Sequence, residues 1–209
     1  TKQLLDFVIA NPVVLLVVEN RSKGLTYARI QLMVDPQNGR VDSRASEFVT
    51  PLSAAVTPDP AIVAMLAPYR TALAAEFDGV IGVATDVFPR GANVERRQEV
   101  PIGNLITDAI RARYGPQLAL TNGGGIRAPL PSSYLPADTT LRRTSPGYAP
   151  GPPYDLVIGD VFAVLPFGNS VVTRTVTGAQ LYAALENGVS RINPDGTGTD
   201  GRFPPGSGL

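Results

Sequence analysis

The chain has 209 residues, with 18 basic side chains against 18 acidic ones, and contains neither cysteine nor histidine. These absences exclude disulfides, thiolate metal sites, a Ser-His-Asp triad, a Cys-His pair and any imidazole-ligated metal. The charge balance supplies no attraction toward nucleic acid or an anionic membrane, and a hydrophobic fraction of 44% at this length suits one whole domain plus part of another.

In chain order, the longest early apolar run covers residues 13–18. It is too short to cross a bilayer and, being rich in β-branched residues, reads as a buried strand. Residues 26–34 form a second strand, with Tyr27, Arg29, Gln31 and Met33 alternating against Ala28, Ile30, Leu32 and Val34. Asp35-Pro36-Gln37-Asn38-Gly39 is a turn, because Pro pre-sets φ and Asn-Gly accepts positive φ. Residues 41–49 return as a third strand, and the three make a sheet edge with no complete core of its own.

Asp59 followed by Pro60 is a helix start, a capping side chain ahead of proline at the first helical position. Ile62, Leu66, Tyr69, Leu73 and Phe77 fall on one helical face, and Pro68 inside it predicts a kink. The domain boundary is placed just before this helix.

Residues 80–87 read as a strand. Residues 101–114 read as a helix with Ile102, Ile106, Ala109 and Ile110 inward and Gly115 ending it. A strand over 117–121 runs into Gly123-Gly124-Gly125. Residues 128–154, rich in Pro, Ser and Thr, are expected to form a solvated, mobile surface excursion. A short helix over 160–165 and a strand over 170–176 follow. Thr177-Gly178-Ala179-Gln180 has capping-box spacing and starts a helix through Leu181, Leu185, Val189 and Ile192. Residues 193–209 are a Gly/Pro/Asp-rich loop. The chain opens on Thr1-Lys2-Gln3 and stops at Gly208-Leu209, and both points read as lying inside a longer sequence.

Three constellations carry chemistry. In Thr121-Asn122-Gly123-Gly124-Gly125-Ile126-Arg127 a strand ends in three glycines followed by arginine. Such glycines, Gly124 and Gly125 among them, admit a ligand close to the backbone, successive amides cradle an anion, and a guanidinium fork fits phosphate or carboxylate. The alternative is a tight turn with a solvated arginine. In Leu165-Pro166-Phe167-Gly168-Asn169 the aromatic either stacks on a planar base from a rim or fills the core. Arg96-Arg97-Gln98-Glu99 precedes a helix N-terminus, a plausible anion site. Glu99 and Asp108 read as caps or ion-pair partners rather than as an acid/base pair. Asp195 to Asp200 lacks the alternating ligands of a calcium loop, and Asn20-Arg21-Ser22 fits a glycosylation sequon.

In this order and spacing the motifs resemble the C-terminal domain of the 5'-nucleotidase family, which includes 5'-nucleotidases, UDP-sugar hydrolases and 2',3'-cyclic-nucleotide phosphodiesterases. The matching segments are Arg96-x-x-Glu99 with GNLITDAIR (103–111), TNGGGIR (121–127), GDVFAVLPFGN (159–169), the helix over 177–189 and GRFPPGSGL (201–209). More weakly, residues 12–41 resemble the last strands of the family's metallophosphatase domain.

The resemblance implies an α+β, mixed-sheet fold with a β-rich metallophosphatase remnant over 1–57. A linker helix over 58–78 and a truncated substrate-binding domain over 79–209 would follow. It implies that Arg96 and Arg127 hold the phosphate or ribose side of a nucleotide, that Asn122 faces the base, that Phe167 stacks on it and that Asn169 adjoins it. The family's two divalent metals sit on Asp, Asn and His ligands of its N-terminal domain, so none is expected on this chain. The expected partners are a nucleotide or nucleoside phosphate and the catalytic domain, not nucleic acid, and no membrane span is expected. The parent is then an exported, periplasmic or cell-surface phosphoesterase of nucleotide catabolism. The rivals are a family member with a non-nucleotide substrate and a non-catalytic module binding nucleotides or proteins.

Overall fold

The computed structural model describes residues 5–9, 13–17, 19, 25–51, 56–193, 195–198 and 200–208. The Asn20 sequon and Val18, the end of the first expected strand, lie outside these residues. The chain divides into two compact units, Thr1–Leu66 and Ala67–Leu209.

In the first unit, β1 (Leu5–Ile9) pairs antiparallel with β2 (Val13–Val17). β1 was not expected, since Leu5-Asp6-Phe7-Val8-Ile9 is too short for its period to be read without a partner. β3 (Tyr27–Val34) pairs antiparallel with β4 (Val41–Val49), with Arg29 opposite Glu47 and an ion pair of 2.9 Å between them. The expected turn joins them: Asp35 Oδ1 accepts the Gln37 N–H (2.8 Å), and Gly39 takes φ +71°. Most of this hairpin is exposed, including Leu32, Met33 and Phe48.

The helix α1 (Pro60–Phe77) begins where Asp59 Oδ1 accepts the Ala61 N–H at 2.8 Å. Its expected apolar face is not buried: no α1 residue is. The division between the two units falls inside it.

Among the described residues, the buried core belongs to the second unit. Val100, Ile102, Ile106, Ile126, Leu130 and Val164 form one buried cluster. β5 (Val80–Ala84) is shorter than the strand expected over 80–87 and pairs antiparallel with β7 (Tyr154–Val157). α2 (Pro101–Tyr114) is bounded as the sequence implies, with proline in its first turn and Gly115 at φ 72° closing it. Of its expected inward face, Ile102 and Ile106 are buried, Ile110 is partly buried and Ala109 is exposed. β6 (Ala119–Leu120) pairs with β8 (Gly206–Ser207). α3 (Ile158–Val164) and α4 (Gly178–Val189) complete the unit, and Thr177 and Gln180 form the expected capping box on α4. The α+β class holds.

Residues 128–154 are not the solvated excursion expected from composition. Leu130, Pro131, Ser132, Pro136 and Arg143 are buried within them. The anchor is a buried ion pair, Arg143 with Asp160 at 2.5 Å. Asp160 also accepts from the Ser132 N–H (2.8 Å), the Ser132 hydroxyl (2.7 Å) and the Val157 N–H (3.0 Å). Burial raises the Asp160 pKa, but the bonds from Arg143, Val157 and Ser132 outweigh it and hold the carboxyl below its ordinary value. Nearby, Asp155 pairs with Arg142, whose bonds pull the carboxyl down to about 2. Composition misses this because long-range ion pairing, not apolar periodicity, holds the segment.

The strand expected over 170–176 does not form: residues 170–176 have no ladder partner among the described residues and are exposed throughout. They flank an open hollow of about 750 Å³ whose walls include Ile102, Ile106, Ile110, Leu130, Val164 and Leu181. The 193–209 stretch, expected as a loop, instead supplies β8 and several carbonyls to the loop before Arg127.

Candidate functional site

The three-glycine segment is a 3₁₀ turn, Gly123–Gly125, entered from an extended Asn122. Its amides are all engaged: Gly123 N–H donates to Phe203 O (2.8 Å), Gly124 N–H to Gly201 O (2.9 Å) and Gly125 N–H to Asn122 O (2.9 Å). The expected cradle of free amides is therefore not available, and Gly124 and Gly125 are not free donors. The glycines serve close packing instead. A Cβ on Gly123 would sit 1.9 Å from Glu95 O, and one on Gly124 would sit 2.9 Å from Gly201 Cα. Three segments distant in sequence thus meet at this turn.

Arg127 leaves the turn with its N–H on Val164 O (2.9 Å) and its Nη1 on Gly124 O (3.3 Å). Its Cζ stands 5.8 Å from the Phe167 ring centroid, within cation–π range. Phe167 follows α3 and is 58% exposed, so it is a rim residue and not a core one. Gly168, at φ +62°, turns the chain directly after it. Asn122 donates from Nδ2 to Gly201 O at 3.1 Å. Asn122, Gly125, Phe167 and Asn169 all line the hollow.

Arg96 ends a second 3₁₀ turn, Val94–Arg96, and its carbonyl accepts the Asp200 N–H at 3.2 Å. Its Cα lies 3.3 Å from the position of a Gly123 Cβ, so its backbone backs onto the glycine turn. Asp200 is held below the usual carboxylate range, first by the Arg202 N–H. Glu99 accepts from Asn104 Nδ2 (2.7 Å), and Asp108 faces Arg111 at 3.8 Å and accepts from the Ser207 hydroxyl. Asp108 is thus the ion-pair partner expected, whereas Glu99 bonds an amide side chain and, among the described residues, forms neither a cap nor an ion pair.

The structure therefore joins Asn122, Gly124, Gly125, Arg127 and Phe167 by direct contact, attaches Arg96 through its backbone, and places Asn169 beside Phe167 on the hollow. Sequence reasoning missed two contributors, the 200–203 stretch and Glu95. The first left a signal in the GRFPPGSGL motif (201–209), though not one that placed its carbonyls on the glycine turn. The second left one, a carboxylate among Arg90, Arg96 and Arg97.

The chain has no His or Cys, and among the described residues no three metal-ligating side chains converge. No described helix is long and apolar enough to cross a membrane.

The profile of the 5'-nucleotidase C-terminal domain matches residues 80–209. The chain is 26% identical over 207 residues to the trifunctional nucleotide phosphoesterase protein YfkN of Bacillus subtilis, covering 97% of this chain and 12% of that protein. It is 30% identical over 164 residues to a cell wall protein of Listeria monocytogenes, covering 70% of this chain and 19% of the relative. Among solved structures, a 5'-nucleotidase precursor from Thermus thermophilus superposes with a TM-score of 0.63 at 29% identity, over 98% of this chain and 36% of that one. The chain thus spans a minor part of the proteins it matches. With 80–209 inside the profile and the motif loops meeting as one cluster, the chain belongs to the 5'-nucleotidase C-terminal domain family.

Proposed function

We propose that this chain is the nucleotide-binding part of a two-metal phosphoesterase, in which Phe167 stacks on the base while Arg127 and Arg96 bind the anionic side. The observation that carries the reading is the Arg127–Phe167 pair, a guanidinium 5.8 Å from an exposed aromatic face. A nucleotide needs both elements together, a flat apolar face for the base and a fixed cation for phosphate or ribose. Asn122 and Asn169 add amide groups along the same hollow.

On this reading the chain positions substrate, and hydrolysis belongs to a partner domain whose two divalent metals activate water and stabilise the leaving oxygen. The relative named as a nucleotide phosphoesterase supports a nucleotide substrate, and the one named as a cell wall protein supports an exported location.

The test is calorimetric titration of the chain with AMP, adenosine and phenyl phosphate. AMP is expected to bind better than either part. Phe167→Ala should weaken AMP by about 1–3 kcal/mol, the worth of one stacking face, and Arg127→Ala should weaken AMP more than adenosine. Equal affinity for AMP and phenyl phosphate overturns the nucleotide reading and favours a family member with another substrate.

A further inference from the structure

Glu95 is fully buried, yet neither of its carboxylate oxygens accepts a well-formed hydrogen bond among the described residues. Its Oε1 lies 2.7 Å from Arg90 Nη2 and 3.6 Å from Arg96 Nε. Arg90 is held in turn by Asn93 Oδ1 at 3.2 Å. The Nε atoms of Arg90 and Arg96 are themselves buried without an acceptor of good geometry. A buried charge kept only for stability is normally satisfied on every lone pair, and an apolar residue of the same size often serves the fold better. The carboxylate therefore calls for an explanation beyond packing.

Its position supplies one. The backbone of Glu95 and Arg96 is clamped against Gly123, where even a methyl group has no room. The main chain of Arg96 is thus fixed, while its side chain remains partly exposed. A long side chain on a rigid backbone still has several free torsions. The Glu95 charge 3.6 Å from its Nε biases that freedom electrostatically, without a hydrogen bond, and leaves the terminal nitrogens, which bond no protein acceptor among the described residues, for a ligand.

We propose that Glu95 is a positioning residue for Arg96, a buried carboxylate that sets the guanidinium for an anionic ligand while Arg90 offsets its charge. The link to a nucleotide rests on the reading under Proposed function; the orientation of Arg96 does not. Glu95 touches no ligand, because its carboxylate oxygens are out of reach of solvent.

The experiment combines arginine side-chain NMR with titration of AMP and adenosine. In the wild-type chain the Arg96 Nε–H, identified by its disappearance in Arg96→Lys, should give a cross-peak protected from exchange. Glu95→Gln should abolish that protection and weaken AMP roughly tenfold, the usual scale for losing a group that orients a ligand-binding side chain. Adenosine affinity should stay unchanged. Because a lone substitution leaves Arg90 uncompensated, the charge-neutral pair Glu95→Gln with Arg90→Gln is the second variant, and the same two losses are expected. A protected Arg96 signal in either folded variant overturns the proposal, as does loss of that signal with AMP affinity unchanged. If the wild-type chain binds no AMP, the nucleotide reading fails, and the Arg96 signal alone decides whether Glu95 positions it.

Discussion

Two carboxylates are completely buried in the second unit, each facing arginine, and their surroundings differ. Asp160 accepts from both terminal nitrogens of Arg143, from two backbone N–H groups and from a hydroxyl. Glu95 has a close guanidinium on one oxygen and no well-formed hydrogen bond on either. A fully bonded buried ion pair ties segments together, as Asp160 ties the 128–154 stretch to α3. A poorly bonded one beside a partly exposed arginine contributes little to the fold, and its charge is better explained by the side chain it orients.

That contrast breaks first in stability measurements. Asp160→Ala should cost about 3–5 kcal/mol in urea denaturation, because it leaves Arg143 charged and buried without a partner. Glu95→Gln should cost clearly less. Equal losses would make the two carboxylates structural alike.

The next largest effect lies on the Glu95 side. Gly123→Ala places a methyl 1.9 Å from Glu95 O, so backbone must move. Overpacking of this kind costs about 3 kcal/mol at the upper end of its usual range. The same variant should also disturb the protected Arg96 signal. A normal melting temperature would show that the turn yields easily and that Arg96 has no rigid base.

Acid sharpens the Asp160 side. The Asp155 carboxyl lies at about 2 in the folded chain against an ordinary 3.8, and the Asp160 carboxyl is lowered as well. Protonation therefore favours the unfolded chain. The stabilisation is complete above pH 4, and it declines as pH falls through about 2. For Asp155 it amounts to about 2 kcal/mol at 1.36 kcal/mol per pKa unit. Asp155→Asn should flatten the acid limb of the stability curve, and an unchanged limb would remove Asp155 from the network.

The smallest effect is at Tyr134, whose carbonyl accepts from Arg143 Nη2 (2.9 Å) and whose hydroxyl donates to Asp78 (2.7 Å). Burial, then the Asp78 bond, pushes its pKa up to about 12. Its neutral form stabilises the fold below pH 10 and that contribution is lost as pH rises through about 12. Tyr134→Phe should cost about 1.5 kcal/mol, the lower end for a hydrogen bond to a charged group, and remove a step near pH 12 from an ultraviolet tyrosine titration.

Much of the second unit was legible because its signals are local. Pro101 and Gly115 bound α2, and Thr177 with Gln180 caps α4; in each case the residues that define the end lie within a turn of it. The Asp35 turn closes on its own side chains for the same reason. The strand expected over 170–176 failed on the opposite ground: its richness in β-branched residues is local, but a strand exists only where a second one accepts its hydrogen bonds. The apolar spacing of α1 marks a face without naming what covers it: Phe77 packs on Phe162 and Tyr134, while Ile62, Leu66, Tyr69 and Leu73 stay exposed.

The candidate site divides along the same line. From sequence alone came the residue types and their order: Arg96, Asn122, the glycines, Arg127, Phe167 and Asn169, with the family they resemble. Only the tertiary structure decided that the glycine amides are spent on Gly201 and Phe203, that Phe167 stands exposed beside Arg127, and that Glu95 lies buried against Arg90 and Arg96. Composition and spacing act over a few residues. Whether an amide is free, an aromatic face is open or a carboxylate is buried depends on segments up to 108 positions away, the separation of Glu95 from Phe203 across the Gly123 turn (203 − 95), and no local pattern encodes a neighbour that distant.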